Sequence, residues 1–261
     1  MTPLQRRLVV WLVASLCTAL AARLGFWQLS RAAEKRQAHE QMLAQRAQAP
    51  WRNEDWPCDP SLNPERLPFY KPVVLQGHWL VDKTVFLDNR PMDGMSGFVV
   101  VTPLVLEGGA GACRQRIVLV ERGWVPRDVR DRSALPVVST DNRAVTVRGL
   151  VTQGLSRTYQ LGVEPLPATP RGPLLRQNAD VAFWRHWLGQ VPVVGAVLQV
   201  QAETPAPQGD APRRHWPEPG QGQDKHLAYA AQWFAMAAGI IGLTLWFQII
   251  RPRRASAHVS S

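Results

Sequence analysis

Two long apolar segments lie near the two ends of the chain. Residues 8–29 carry one charge, Arg23, and residues 227–250 carry no Asp, Glu, Lys or Arg. At about 1.5 Å per residue, each segment is longer as a helix than the roughly 30 Å hydrocarbon core of a bilayer. We therefore predict transmembrane helices over 8–29 and 226–250. A cleaved signal peptide is the alternative for the first, but its apolar run exceeds the usual length and no A-x-A-like cleavage site follows.

The pattern changes after the first apolar segment. Residues 30–49 are rich in good helix formers and nearly free of β-branched residues, so the helix is expected to continue out of the membrane as a stalk until Pro50. Residues 203–225 are rich in Pro and Gly and predict an irregular loop that returns to the second span. The segment between stalk and loop, 50–202, is the predicted central domain.

The central domain is predicted to be mainly β structure. β-Branched residues dominate a series of short runs that are separated by turn-forming clusters. The runs are 70–81, 84–88, 97–106, 116–125, 143–151 and 193–202, with one predicted helix at 179–189. Short connections favour antiparallel pairing. We therefore predict a two-span helical anchor with an exported, mainly antiparallel β (α+β) domain, either a sheet or a partly closed barrel.

The positive charge of the chain lies largely beside the two spans. The formal net charge is +10, and six basic residues flank or lie within the apolar segments, which contain no Asp or Glu. These residues are Arg6, Arg7, Arg23, Arg251, Arg253 and Arg254. The remaining charge of about +4 is too weak for a nucleic-acid surface, and no run of Lys and Arg interleaved with aromatic residues accompanies it. We therefore expect no nucleic-acid partner.

The flanking arginines also predict the orientation of the chain. Lys and Arg beside membrane spans favour the cytoplasmic side. Both tails, residues 1–7 and 251–261, are therefore expected in the cytoplasm. The domain between the spans is then expected in the periplasm of a bacterium or in the equivalent compartment of an organelle.

The cysteine residues and a search for enzyme motifs reduce the number of function classes that fit the chain. Cys58 and Cys113 fit no metal-binding spacing, and in an oxidising compartment they form either a disulfide or two free thiols. No G-x-S-x-G motif is present, and His39-Glu40 lacks the second histidine of H-E-x-x-H. No Walker A or G-x-G-x-x-G motif follows a predicted strand. We therefore expect no enzymatic activity.

Polar and aromatic residues gather where both spans are expected to reach the outer leaflet. They are Arg23, Trp27, Gln28 and Arg31 on the first span and His226, Tyr229, Gln232 and Trp233 on the second. The spacing i, i+3, i+7 predicts that His226, Tyr229 and Trp233 share one helix face. An arginine whose side chain reaches the headgroups and ordinary interfacial aromatic residues are the structural alternative for much of this set.

Of this set, His226 is the strongest candidate for a ligand-binding residue. An imidazole at an apolar interface, backed by flat aromatic rings and faced by arginines, suits a haem. The imidazole nitrogen would bind the iron, the rings would contact the macrocycle, and the guanidinium groups would pair with the propionates. We therefore predict His226 as an axial ligand of haem iron. The other predicted cofactor-binding residues are Arg23, Trp27, Arg31, Tyr229, Gln232 and Trp233.

Four blocks of sequence carry a family resemblance. They are LGFWQ at 24–28, FLDNR through GMSGF to TPL within 86–104, VLVERGWVP at 118–126 and HLAYAAQWF at 226–234. Together they resemble the surfeit locus protein 1 family, assembly factors for haem-copper cytochrome c oxidase, in order and in position relative to both spans. In the third block, Glu121 stands where the family usually has Asn.

The resemblance implies a specific role for the chain. It implies a two-span protein of the inner (plasma) membrane of a bacterium that binds haem a transiently at the outer-leaflet edge of its spans and assists its insertion into oxidase subunit I. The implied partners are subunit I, a haem a synthase and membrane lipid. The family's haem-associated histidine corresponds to His226 alone. The family's arginines in the second and third blocks correspond to Arg90 and Arg122, which we interpret as structural or partner-facing.

Three other functions compete with haem handling. A structural assembly chaperone would hold subunit I without touching haem. A membrane-anchored periplasmic oxidoreductase would use Cys58 and Cys113. A copper-delivery factor is disfavoured, because the chain has no Cys-x-Cys, Cys-x-x-Cys or Met/His cluster, and Met92 with Met95 is an insufficient set of soft ligands.

Overall fold

The computed structural model divides the chain into two compact units. It describes residues 2–58, 66–113, 116–131, 134–140, 142–162, 164–167, 172–189, 191, 193–209, 212–218 and 222–251. The helical unit comprises Met1–Gln41 and Pro217–Ser261, and the barrel unit comprises Met42–Trp216. The predicted tail arginines Arg253 and Arg254, and parts of the predicted loop 203–225, lie outside the described residues.

Two long helices, α1 and α3, dominate the helical unit. Helix α1 runs without a break over Pro3–Arg46, and α3 runs over Gln223–Leu245 and ends in a single π-helical turn, Trp246–Ile250. Proline suits the first position of α1, because that residue's N–H has no partner within a helix. Both helices are long and apolar enough to cross a membrane, as the sequence predicts.

The two helices pack against each other in antiparallel directions. Gly25 of α1 lies against Phe234, whereas Gln28, one turn further on, meets His226 of α3. The buried small residues along the contact are Ala21, Gly25 and Ala32 on α1 and Ala230 and Ala237 on α3. Their spacings of four and seven residues keep one seam of each helix facing the other. Small side chains at such a seam allow two backbones to approach closely in a membrane.

The barrel unit contains seven strands in its described residues. They are β1 Pro72–Trp79, β2 Val85–Met92, β3 Met95–Leu106, β4 Ile117–Pro126, β5 Val145–Thr152, β6 Leu174–Arg176 and β7 Val193–Gln199. Strand β1 pairs with both β5 and β3, so the strands β1, β5, β7, β4 and β3 form a closed ring. Strands β2 and β6 continue the sheet beyond β3. The prediction of a mainly antiparallel β domain is confirmed, and the barrel is fully closed.

The six predicted strands match six observed strands to within a few residues, and two features depart from the pattern. The three-residue strand β6 is absent from the predicted series because it is too short to show an alternation. Two pairs, β4 with β7 and β2 with β6, are parallel. The predicted helix is α2, Val181–Trp187, and the Asp180 side chain caps it by accepting a hydrogen bond from the Phe183 N–H at 2.8 Å.

Closure of the barrel depends on a close approach of two backbones. A Cβ atom on Gly77 of β1 would collide with the carbonyl oxygen of Val105 on β3, so glycine is required where the first strand meets the third. The interior is filled by apolar side chains, and Trp56 closes over them with its indole N–H donating to the Val194 carbonyl at 3.1 Å. The result is a packed core.

Arg122 and Glu203 form a fully buried ion pair in the barrel unit. Their side chains have no exposed surface, and the Arg122 Nη2 to Glu203 Oε1 distance is 2.6 Å. The other Glu203 oxygen accepts a hydrogen bond from Gln199 at 3.0 Å, and the guanidinium carbon lies 4.7 Å from the Trp79 ring centroid. A buried ion pair is better tolerated when further hydrogen bonds engage both groups, and here Thr140 accepts one from Arg122 while Gln199 donates one to Glu203.

Arg90 and Glu121 bind the chain segment that follows β5. Arg90 donates to the Ser156 carbonyl at 2.7 Å and to the Asp88 carbonyl at 2.6 Å, and Glu121 accepts from the Ser156 N–H at 2.8 Å. Burial raises the pKa of the Glu121 carboxyl and lowers the pKa of Arg90, because both charged forms lose hydration. The two residues therefore fix a loop to the barrel.

Cys58 and Cys113 form a disulfide with a sequence separation of 55 residues. The bond joins the segment before β1 to the turn between β3 and β4. It resolves the alternative between disulfide and free thiols. Cys17, on α1, is an exposed free cysteine.

We expect Cys58→Ser to lower the free energy of unfolding of the barrel unit by about 2–4 kcal/mol, because the cross-link restricts the unfolded chain. Urea unfolding of the oxidised, detergent-purified protein, followed by tryptophan fluorescence, measures the change. Cys17→Ser is the matched control and should leave the midpoint unchanged. Equal midpoints for the two variants would show that the disulfide contributes nothing to stability.

We also expect stability to fall as the pH rises through the pKa of Glu121 in the folded protein. Because that pKa is raised, the folded state keeps a proton that the unfolded chain has lost. Glu121→Gln retains an acceptor for Ser156 and removes the titration, so it should flatten the dependence and stabilise the protein at alkaline pH. Urea unfolding at mildly acidic and mildly alkaline pH tests this, with exposed Glu54→Gln as control. A Glu121→Gln variant that keeps the native pH dependence would contradict it.

Candidate functional site

His226 lies in the first turn of α3 and contacts a side chain of α1. Its Nδ1 atom lies 2.7 Å from Oε1 of Gln28, and both side chains are half-buried. An amide carbonyl only accepts hydrogen bonds, so the imidazole donates through Nδ1. The described residues supply no hydrogen-bond partner for the other ring nitrogen, Nε2. The contact joins the two helices at the end of the seam where α3 begins.

The structure explains why the two polar side chains meet. Gln28 lies three residues after Gly25 and four before Ala32, which places it on the same seam of α1 as these small residues. His226 lies four residues before Ala230 on the seam of α3. In an apolar environment an unpaired amide or imidazole is costly, so each group is stabilised by the other.

An aromatic cluster lies next to this contact along the helix pair, toward the C-terminal end of α3. A Cβ atom on Gly25 would lie 2.8 Å from the Phe234 ring, which shows how closely that ring approaches the α1 backbone. Phe26 packs edge-on against Phe234 with 5.2 Å between ring centroids. Trp233 is half-buried, one helical turn beyond Ala230 on the same side of α3 as His226. Beyond the polar contact of His226 with Gln28, the seam is therefore lined by apolar and aromatic side chains.

The other predicted site residues of α3 lie beside this seam. Tyr229 is 53% exposed, and Gln232 is also exposed. Their positions, 60° and 120° around the helix from His226 at about 100° per residue, place them progressively further from α1. The structure thus places His226 and Trp233 on the same inner face, two helical turns apart, with Tyr229 at its edge and Gln232 outside it.

The predicted site residues of α1 are all exposed. Arg31 pairs with Glu34 at 2.7 Å and lies 6.0 Å from the Trp27 ring centroid, so Trp27 and Arg31 form one surface cluster with a carboxylate. Arg23 lies two residues from both Ala21 and Gly25, about 200° around the helix from the seam. The structure therefore does not bring Arg23 to His226.

The two arginines suggested by the family resemblance lie in the barrel unit. Arg90 and Arg122 are buried, and carbonyl, carboxylate or hydroxyl oxygens of the same unit accept their hydrogen bonds. Of the two interpretations, structural or partner-facing, their burial supports the structural one.

Gln28 is the site residue that the sequence prediction missed. The sequence indicates its depth in the span but gives no reason to select it as a partner of His226. A signal was available, because Gln28 follows the small residues Ala21 and Gly25 at spacings of seven and three, which are seam positions. A polar amide at such a position in an apolar helix indicates an interhelical hydrogen bond.

The donor set of this site suits a haem better than a bare metal ion. The described residues contain no group of three or more His, Cys, Asp and Glu that could hold a metal ion. Haem iron is already held by four porphyrin nitrogens and needs one or two axial ligands from the protein. A single imidazole with one nitrogen anchored and the other available fits that requirement.

Comparison with a family model and with known proteins covers most of the chain. The model of the SURF1 family matches residues 15–238, from within α1 to within α3. The chain is 32% identical over 120 residues to Surfeit locus protein 1 of Arabidopsis thaliana, an alignment that covers 44% of this chain and 33% of that protein. It is 27% identical over 249 residues to the SURF1-like protein of Drosophila melanogaster, covering 88% of this chain and 74% of that protein.

The matched region contains the features described above. It includes Gln28 and His226, the seven described strands of the barrel unit and most of both long helices. The Arabidopsis protein is matched over a third of its own length, whereas the Drosophila protein is matched over most of it. Because the family model extends from the first apolar helix to the second, this chain belongs to the SURF1 family.

Proposed function

We propose that this protein is a membrane-anchored assembly factor for haem-copper cytochrome c oxidase that binds haem a through His226 and assists its insertion into subunit I. The observation that carries the proposal is the His226 imidazole, which Gln28 holds through Nδ1 at 2.7 Å at one end of an apolar helix pair. The remaining nitrogen is the atom that would bind iron. Membership of the SURF1 family supports the same role.

The surroundings of His226 suit a flat, apolar ligand with an anionic edge. Tyr229 and Trp27, both about half exposed, offer aromatic surface on the two helices. Arg31 is exposed beside Trp27 and would pair with a propionate in place of, or together with, Glu34. Trp233 would contribute from the inner face. Arg23 and Gln232 are exposed elsewhere on the helices, where contact with lipid or a partner subunit explains them better.

The proposed role needs no covalent step. Haem supplies an iron centre that accepts a nitrogen ligand reversibly. His226 is the single protein ligand that we assign, and it would hold the haem through one reversible bond. Such a hold would allow the haem to pass to a partner that offers ligands of its own. The protein would act by holding and orienting the haem at the outer-leaflet edge of its spans.

The proposal also includes a location and partners for the protein. Arg6 and Arg7 at the start of α1 and Arg251 after the π turn favour cytoplasmic tails in a bacterial inner membrane. The barrel unit would then lie in the periplasm, where the Cys58–Cys113 disulfide is compatible with an oxidising compartment. Subunit I, a haem a synthase and membrane lipid are the proposed partners.

We expect His226→Ala to remove or shift the Soret and α bands of protein that is co-expressed with the haem a biosynthetic enzymes and purified in detergent. The substitution deletes the nitrogen ligand and leaves the helix intact, since alanine is a good helix former. His215→Ala, in an exposed loop of the barrel unit, is the matched control and should keep the native spectrum.

A different pair of results would contradict haem binding. Native protein without haem that still co-purifies with subunit I, together with a His226→Ala variant that supports normal oxidase assembly, would identify a structural assembly chaperone. Loss of function in a Cys58→Ser, Cys113→Ser double variant that still folds would instead favour the oxidoreductase alternative.

A further inference from the structure

We propose that Gln28 is a positioning residue for His226. Its side-chain carbonyl takes the Nδ1 proton of the imidazole and thereby makes Nε2 the nitrogen that binds iron. This inference rests on the proposed function, because it concerns the same histidine. It adds a second residue, on the other helix, whose contribution can be measured separately from haem binding itself.

The geometry supports a directed hydrogen bond. The Nδ1 to Oε1 distance of 2.7 Å is at the short end of the normal range, and both side chains are half-buried. The partners come from α1 and α3, so neither can turn without losing a contact across the seam. Gly25 and Ala230 hold the helices close at this level, which keeps the amide within reach of the ring.

The chemistry of the two groups then determines the tautomer. A neutral imidazole has one N–H donor and one lone-pair nitrogen. An amide oxygen at Nδ1 stabilises the form with the proton on Nδ1, and the lone pair therefore lies on Nε2. Histidines that bind metals commonly donate their other N–H to an oxygen in this way, which fixes the ring orientation and raises the basicity of the ligand.

The nature of the acceptor matters as much as its position. A carboxylate at Nδ1 would draw the proton away and strengthen the iron–nitrogen bond. A neutral amide strengthens the iron–nitrogen bond much less, and this chain has glutamine at position 28. Gln28 would therefore orient His226 without making it a strong ligand, which suits a protein that must release its haem to a partner.

The tautomer can be tested without any haem. In protein labelled with ¹⁵N-histidine and examined by NMR at alkaline pH, the chain gives signals from six histidines, and His226→Ala identifies the one of interest. We expect the native His226 to carry its proton on Nδ1 and to shift to a mixture of tautomers in Gln28→Leu. Gln37→Leu, an exposed amide on the same helix, is the matched control and should change nothing. A proton on Nε2 in the native protein would overturn the inference.

The strength of the iron–nitrogen bond provides a second readout. Haem a-loaded protein from co-expression is reduced, its iron–histidine stretching frequency is recorded by resonance Raman spectroscopy, and haem loss to excess apomyoglobin is timed. We expect Gln28→Glu to raise the frequency and slow haem loss. We expect Gln28→Leu to lower the frequency and to speed haem loss by about 10- to 100-fold.

The two variants separate a positioning role from a purely structural one. A helix-packing role would predict that Leu and Glu change haem loss in the same direction and leave the frequency of the remaining haem unchanged. That result would overturn the inference while leaving His226 as ligand. If instead His226→Ala keeps the native haem spectrum, the proposed function fails, and the NMR experiment still decides whether Gln28 sets the tautomer.

Discussion

In a membrane, α1 and α3 can pair only where their backbones come close. Lipid is as apolar as the helices themselves, so no hydrophobic force drives them together, and packing with a few interhelical hydrogen bonds must suffice. The small residues Ala21, Gly25, Ala230 and Ala237 provide the close approach. The polar contact of His226 with Gln28 depends on it, because an amide side chain is short. The candidate site therefore depends on the small residues that let the two helices approach closely.

Much of the architecture could be predicted from the sequence, because it follows from patterns that are local. Length and apolarity reveal the two spans, and β-branched runs reveal six strands. Barrel closure and the parallel pairing of β4 with β7 depend on contacts between distant segments, which leave no local trace. The three residues of β6 are too few to form a pattern, and their strand character comes from pairing with β2.

The candidate site rests on fewer signals and stays a prediction. A lone histidine at an apolar interface directed attention to His226, and helical spacing places Trp233 on its side of α3. The same spacing could not tell Tyr229, at the edge of the face, from a residue within it. The role of Gln28 required knowing which face of α1 meets α3. For Arg90 and Arg122 the sequence left two interpretations open, and their burial in the barrel unit supports the structural one.

The place of β7 in the barrel has a consequence for how the chain folds. Strand β7, the last among the described residues, inserts between β4 and β5, and its pairing joins residues such as Val120 and Val197 that are far apart in sequence. Until residues 193–199 have been synthesised, β4 and β5 each present an open edge, and open edges are prone to pair with other chains. Folding dominated by such distant pairing is slow. During biosynthesis there is therefore an interval in which a nearly complete barrel has two unpaired edges that can aggregate. A truncated chain that lacks β7 would keep these edges open permanently.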